Sequence, residues 1–500
     1  MNSCSTGHLA TSELVDLSLQ AVANQENYGS VAQLSRQYNV HRRVVYAIRA
    51  SAFACLAKAF STPKASTTVN VTAGHVARCV IVLYMVGRCS IWSIVGMLPI
   101  LLPGVKGCGF GTVQRLLVEA ALKAQLFNSR MDLGGVKAIA LDEMFSQGDP
   151  VLATIDLDTS LIVQLERRDQ RTTEDWRQVL TSCKHQGLNP DVAVRDGGAA
   201  IAAGLAAVFP DVEQRDDNLH AQMGVTKVMR KVENRAYTLI SRIDKTKRHL
   251  AKAEDQANSR PLRVAKLKAD LLKATKHCDR LMTEHEELTR LWHRLRAALE
   301  LVDVAGNKLR DSREMQQELG AVATTLSSSK RGDSRKAGHY IKRRLKGLTS
   351  HADSVHAELE PLAEEFGQEA VVSAMVVLHL TERMKRWRTS SAKRERLAQL
   401  KAALAALKAT GRDDEVPAAV HPVFYRRHRA SSAIESMNAA LRPHLIIRKR
   451  VTDGFLHLFQ AYSNLRVRRW GRFKSTSAWG LLMGQPAGDW LTHLGYPPAH

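Results

Sequence analysis

The spacing of apolar residues changes character along this 500-residue chain. Up to residue 132 they recur in steps of three and four, which predicts helices. In Ser30–Arg49 a short helix carries Val31 and Leu34 inward, with Ser30 placed to cap it. A tight turn contains Asn39, and Val40 tucks back under it. The next helix shows Val44, Val45 and Ile48 to a core and His41, Arg42, Arg43, Tyr46 and Arg49 to solvent. That is a helix-turn-helix pattern with a basic outer face. After a Ser/Thr/Pro stretch at 61–72 come three more helices, at Ala73–Val86, Ser90–Leu98 and Thr112–Phe127. Gly104, Gly107, Gly109 and Gly111 interrupt the chain before the last one. No Gly-Lys-Ser/Thr follows them, so they do not form a phosphate-binding loop.

Between residues 136 and 217 the pattern becomes one of short apolar runs. Val136–Phe145, Val151–Leu157 and Leu161–Leu165 are separated by the turn signals Gly148-Asp149-Pro150 and Asp158-Thr159-Ser160, which predicts a three-strand meander. Thr172–Gln186 returns to helical spacing, with Trp176, Val179, Leu180 and Cys183 on one face. Asp191–Val194 reads as a strand that ends at Arg195-Asp196-Gly197-Gly198. Ala199–Val208 is a helix of small residues, and Val212–Arg215 a fifth strand. The order β-β-β-α-β-α-β resembles the topology of the ribonuclease H fold.

Residues 221–303 carry two long seams at coiled-coil spacing, from Val225 to Ala253 and from Ala274 to Val302. Pro261 stands where a second helix would begin, so the segment predicts an antiparallel hairpin. Residues 304–420 are helical and rich in Ala, Leu and basic side chains, with loops expected at Ser327–Gly338 and Thr410–Pro417. The expected fold class is an α/β core with a five-stranded mixed sheet, N-terminal helix-turn-helix units and a large all-α coiled-coil insertion. The divisions fall at 1–65, 66–132, 133–220, 221–420 and 421–500.

Charge narrows the function. Lys and Arg number 72 against 49 Asp and Glu, a net +23, which points to a polyanionic partner. The most apolar stretch, Val76–Leu102, contains Arg78 and Arg88, which argues against a membrane span and leaves nucleic acid. No signal peptide is expected at the N-terminus. Seven scattered cysteines without a CxxC pair fit neither a disulfide framework nor a zinc knuckle, and suit a reducing cytoplasm.

Three acidic residues stand in telling places. Asp142 follows four apolar strand residues, where an unpaired carboxylate is costly. Asp196 ends the fourth strand before two glycines. Glu435 lies in Ser431-Ser-Ala-Ile-Glu435-Ser-Met-Asn438-Ala-Ala-Leu-Arg442, a serine-capped helix with Ile434, Met437, Ala440 and Leu441 on its apolar face. Two strand aspartates and a helix glutamate offer oxygen ligands for two Mg²⁺ ions, or Mn²⁺ in their place, about 4 Å apart. Residues 426–474 are strongly basic with interleaved aromatics, a candidate phosphate track.

Together, Leu-Asp142-Glu, Asp196-Gly-Gly with its helix reaching Phe209-Pro210, Asp217-Asn-Leu-His220 and Ala-Ile-Glu435-Ser-Met-Asn resemble a DDE transposase. The nearest group is that of bacterial insertion sequences similar to Mutator-like transposases. The resemblance covers about residues 136–220 and 425–495. It implies Asp142, Asp196 and Glu435 as catalytic metal ligands, supported by Asp217, His220 and Asn438. It also implies cleavage of transposon ends and strand transfer. Arg42, Arg43, Tyr46, Arg49, Arg426, Arg427, Arg429, Arg442, Arg448, Lys449 and Arg450 are the expected DNA-binding residues. The expected partners are double-stranded DNA, as terminal inverted repeats and target, and further copies of the chain in a homodimer or larger assembly. The place of action is then the bacterial cytoplasm, at the nucleoid. Two other readings compete: a structure-specific nuclease on the same core, and a non-catalytic DNA-binding protein derived from a transposase.

Overall fold

A computed structural model describes residues 9–60, 71–103, 108–255, 260–384, 390–427, 432–448 and 451–498. The chain divides into two compact units, Met1–Thr72 and Ala73–His500. The first holds helices α1 (Thr11–Ala23), α2 (Ser30–Gln37) and α3 (Arg42–Phe60). Leu17, Ala21, Leu34, Val40, Val44 and Val45 close its core. Asn39 takes a positive φ of 49° in the connection, and Val40 is buried behind it, as the sequence pattern predicts. Gly29 rather than Ser30 is the N-cap of α2, because its φ of 85° lets the chain reverse into the helix.

The second unit begins with α4 (Ala73–Met85), α5 (Ile91–Leu101) and α6 (Phe110–Ser129). These helices do not form a separate core. Ala77, Ile81, Met85, Ala120 and Ala124 pack into the same cluster as the sheet, so no boundary between cores falls at 132. There follow β1 (Ala138–Ser146), β2 (Asp149–Asp156), β3 (Ile162–Arg167), α7 (Thr173–His185), β4 (Val192–Arg195), α8 (Ala199–Val208) and β5 (Glu213–Asp216). The sheet order is β3-β2-β1-β4-β5, antiparallel from β1 to β3 and parallel across β1, β4 and β5. The two-residue period of β1 separates the faces. Ile139 and Leu141 join a core with Trp176, Val179, Leu180, Ile201 and Leu205 of α7 and α8. Ala138, Ala140 and Met144 point the other way.

Long helices α9 (Asn218–Asp255) and α10 (Pro261–Ala298) form the expected hairpin, with Val225, Val232, Ala236, Cys278, Leu281 and Leu288 among the buried seam residues. A small hairpin of β6 (Val302–Asp303) and β7 (Lys308–Leu309), which the sequence pattern did not reveal, leads into α11 (Ser312–Ser327), α12 (Gly332–Lys342), α13 (Leu345–Phe366), α14 (Gln368–Met384), α15 (Ser390–Ala409) and α16 (Glu415–Arg426). The loop expected at Ser327–Gly338 is mostly helix. Gly338 is there for close packing, since a Cβ would sit 2.6 Å from Ser327 N and 2.7 Å from the Ala323 carbonyl.

The chain then returns to the sheet with α17 (Ser432–Ile447) and α18 (Asp453–Leu465), and ends with α19 (Ala478–Met483) and α20 (Trp490–His493). Helix α18 guards the edge strand β3. Asn464 accepts from Ile162 N at 2.7 Å and donates to Ile162 O at 2.9 Å, while Gln460 donates to Val163 O at 3.0 Å. These side chains satisfy backbone groups that an edge strand would otherwise leave unpaired.

Between α7 and α8 there is no spare room. A Cβ at Gly204 would lie 2.6 Å from Trp176 Cβ and 3.1 Å from the Thr173 carbonyl. Gly204→Ala is expected to lower unfolding stability by about 2 kcal/mol through overpacking, despite the better helix propensity of alanine. A urea midpoint equal to or above that of the parent would contradict this packing.

Candidate metal centre

Parallel register brings the two strand aspartates together. Leu141 pairs with Arg195 across β1 and β4, so Asp142, in the middle of β1, and Asp196, just past the end of β4, follow side by side where that pairing stops. Asp142 falls on the Ala138–Ala140 face of β1, the face covered by α17. Its side chain is 8% exposed. Oδ1 accepts from Glu143 N at 2.8 Å, and Oδ2 accepts from Asn438 Nδ2 at 2.8 Å. Asp196 Oδ1 accepts from Gly198 N at 2.8 Å, which folds the Gly-Gly turn around the carboxylate.

The third member comes from the start of α9. Ligand atoms of Asp142, Asp196 and His220 all lie within 4.8 Å of one another. His220 Nδ1 pairs with the fully buried Asp217 Oδ2 at 2.7 Å, which leaves Nε2 as the nitrogen open to a ligand. Asp217 is held in turn by Leu219 N, at 2.8 Å from Oδ1. A carboxylate behind an imidazole fixes ring orientation and raises basicity.

The electrostatics of the cluster favour a positive charge. Burial pushes the Asp142 carboxyl above its ordinary range, and the neighbouring Asp196 charge adds to this against hydrogen bonds from Glu143 N and Asn438. The hydrogen bond with Asp217 holds His220 above its ordinary value, helped by the charges of Asp217, Asp142 and Asp196. Asn438 is 2% exposed, and its Oδ1 is buried without a hydrogen-bond partner. An orphaned acceptor beside two carboxylates and an imidazole fits a divalent cation. The nitrogen donor widens the choice beyond Mg²⁺, since imidazole also suits softer metals.

Glu435 is not part of this cluster among the described residues. It sits one turn before Asn438 on α17, and its Oε2 lies 3.6 Å from Arg442 Nη2. His220, expected as a support, stands in its place. The other nearby acids are paired. Asp216 lies 3.2 Å from Arg195 and 3.5 Å from Arg344, and Glu143 pairs with Arg171 at 2.6 Å and Trp176 Nε1 at 3.2 Å. Sequence reasoning missed Arg344. It reaches in from the start of α13 to donate to Gly197 O at 2.7 Å, and a Cβ at Gly197 would sit 2.2 Å from it. Nothing in local spacing joins residues 197 and 344. Tyr340, stacked under the Arg344 guanidinium at 4.1 Å, has its hydroxyl pushed up to about 12 by burial and the nearby aspartates.

The expected DNA-binding residues are scattered. Arg42, Arg43 and Tyr46 are exposed on α3, and Arg49 lies 5.0 Å over the Tyr46 ring. Arg426 and Arg427 pair with Glu358 at 2.9 Å and Glu382 at 2.8 Å. Arg442 is exposed. Arg448 turns inward instead. It packs 4.1 Å and 4.5 Å from the Tyr84 and Phe455 rings and donates to Tyr84 O at 3.0 Å, so it ties α17 to α4. Arg429, Lys449 and Arg450 lie outside the described residues.

A cation at Asp142, Asp196 and His220 competes with protons on two groups held above their ordinary values. Mn²⁺ affinity is therefore expected to rise with pH through the ordinary histidine value of about 6.5 and to level off only above it. Isothermal titration across that window checks this, and a flat profile would remove His220 from the ligand set.

The chain matches no model of a known protein family and no curated protein. Among the described residues no helix is long and apolar enough to cross a membrane.

Proposed function

We propose that this chain is a DNA transposase of the DDE type on a ribonuclease H-like core. It binds terminal inverted repeats and carries out metal-dependent strand cleavage and strand transfer. The observation that carries the reading is the meeting of Asp142 and Asp196 where the pairing of parallel neighbours β1 and β4 stops, with His220 within 4.8 Å. Bound divalent cations would supply charge neutralisation at the reacting phosphate. The chain's own residues do the rest. Asp217 orients His220, Asn438 holds the Asp142 carboxylate, and Arg344 steadies the Asp196 turn through Gly197 O. Glu435, one turn away on α17, completes the catalytic set when DNA is bound.

Helices α2 and α3 serve as a helix-turn-helix that reads the repeat, and the net +23 supports the grip on phosphate. The α9–α10 hairpin pairs subunits, so that two sites meet two DNA ends. Purified protein, labelled DNA carrying the repeats that flank its gene, and a target plasmid with Mg²⁺ or Mn²⁺ test the reading. End cleavage and joined products are expected. Nicking without joining would favour the nuclease reading, and metal-independent binding without nicking the non-catalytic one. Replacing Arg42, Arg43 and Arg49 together is expected to weaken repeat binding more than binding to random DNA in a mobility-shift assay. Equal losses on both would reduce them to backbone contacts.

A further inference from the structure

Helix α17 has a second working face. Glu435, Asn438 and Arg442 share the side toward the acidic cluster. Ala433, Ser436, Met437 and Ala440 fall on roughly the opposite side at about 100° per residue, and they line a cavity of about 680 Å³. Across it stands the segment after α18, with Arg466, Arg468, Arg469, Trp470, Arg472 and Phe473. Tyr462 and Trp490 also line it, their rings edge to face at 5.0 Å.

The chemistry of this cavity is specific. Arg472 lies 4.9 Å over the Phe473 ring and 4.7 Å over Tyr425, and Arg466 lies 5.4 Å over Tyr462. Arg468 donates to Thr159 O at 2.9 Å, and its Nη1 is buried without a hydrogen-bond partner. Among the described residues, the only acid along the lining is Asp489, held by Arg78 at 2.7 Å. Trp470 is 78% exposed, a large apolar ring left in water. Arginines interleaved with aromatic rings are what a single strand needs, with guanidinium for phosphate and ring faces for bases. A volume in the usual range of small-ligand pockets, about 300–1,000 Å³, admits unstacked nucleotides and shuts out a duplex.

We infer that this cavity binds unstacked nucleotides of a single DNA strand, held against the far side of the helix that carries Glu435. The inference takes from the proposed function only that the partner is DNA, and the binding needs neither metal nor cleavage. The test is fluorescence anisotropy in EDTA at fixed salt, with a short labelled single-stranded oligonucleotide and with the duplex of the same sequence. Trp470 and Arg469 are both exposed, so Trp470→Ala combined with Arg469→Ala should fold normally. The double variant is expected to lose about ten-fold or more in single-strand affinity, with little change on duplex. Trp470→Phe, which keeps a ring face, should restore most of what Trp470→Ala loses. Equal losses on single strand and duplex, or no loss on the single strand, would overturn the inference. A protein that binds single strands through Trp470 yet never cuts DNA would overturn the transposase reading and leave this one standing. Strand transfer with single-strand binding unchanged in the double variant would do the reverse.

Discussion

Alanine at Asp142 or Asp196 is expected to abolish metal-dependent DNA cleavage, by a factor on the order of 10³ or more, while end binding persists. Each change removes a carboxylate from a cluster whose ligand atoms lie within 4.8 Å. Neither carboxylate belongs to the basic surfaces expected to hold DNA. Stability separates this loss from misfolding. Burial and the Asp196 charge hold the Asp142 carboxyl above its ordinary value of 3.8, so its charged form destabilises the metal-free fold. That penalty is absent below the ordinary value and complete once pH has risen past the raised one. At neutral pH, Asp142→Asn is therefore expected to melt above the parent without metal, while losing cleavage and the stabilisation that Mn²⁺ gives. Thermal scans with and without Mn²⁺ check this. A variant that melts lower in both would make Asp142 a structural residue, and one that still cleaves would remove it from the site.

The local pattern carried much of the fold because sheet and helix periods are local. The meander, the buried face of α7 and the hairpin seams each follow from spacing within one element. Asp142 and Asp196 were legible for a related reason, since one breaks the apolar run of a strand and the other directly follows a strand, points where a carboxylate has no local cause. Packing between distant segments was not legible. The sharing of one core by α4, α6 and the sheet depends on matching surfaces that no window of sequence displays. Arg344 is a clear instance, because its partners Gly197 and Asp216 lie far up the chain and its own neighbourhood reads as an ordinary basic helix. Arg448 shows the opposite error. It sits in a basic run that reads as a phosphate track, yet Tyr84 and Phe455 enclose its guanidinium.

The arrangement around α17 separates metal binding from catalysis. His220 offers a nitrogen to the Asp142–Asp196 cluster, whereas Glu435 faces Arg442 at 3.6 Å. His220→Ala is expected to lower the Mn²⁺ affinity of the DNA-free protein by at least about 10-fold, the scale found even for groups that only support a ligand. Glu435→Gln is expected to leave that affinity unchanged. Both variants should lose DNA cleavage. The reason lies in the partner of Glu435. Arg442 has 59% of its side chain exposed, and a pair of that kind contributes roughly 0–1 kcal/mol. DNA phosphate can draw Arg442 away at little cost, because so exposed a pair is weakly held and the chain's net +23 favours contact with the backbone. Glu435 is then free to turn toward Asp142, one turn along the same face from Asn438, which already touches it. Titration calorimetry on the two variants, with and without DNA, reads the difference. If Glu435→Gln weakens Mn²⁺ binding without DNA as much as His220→Ala does, Glu435 belongs to the resting ligand set and the DNA-triggered release of Arg442 is wrong.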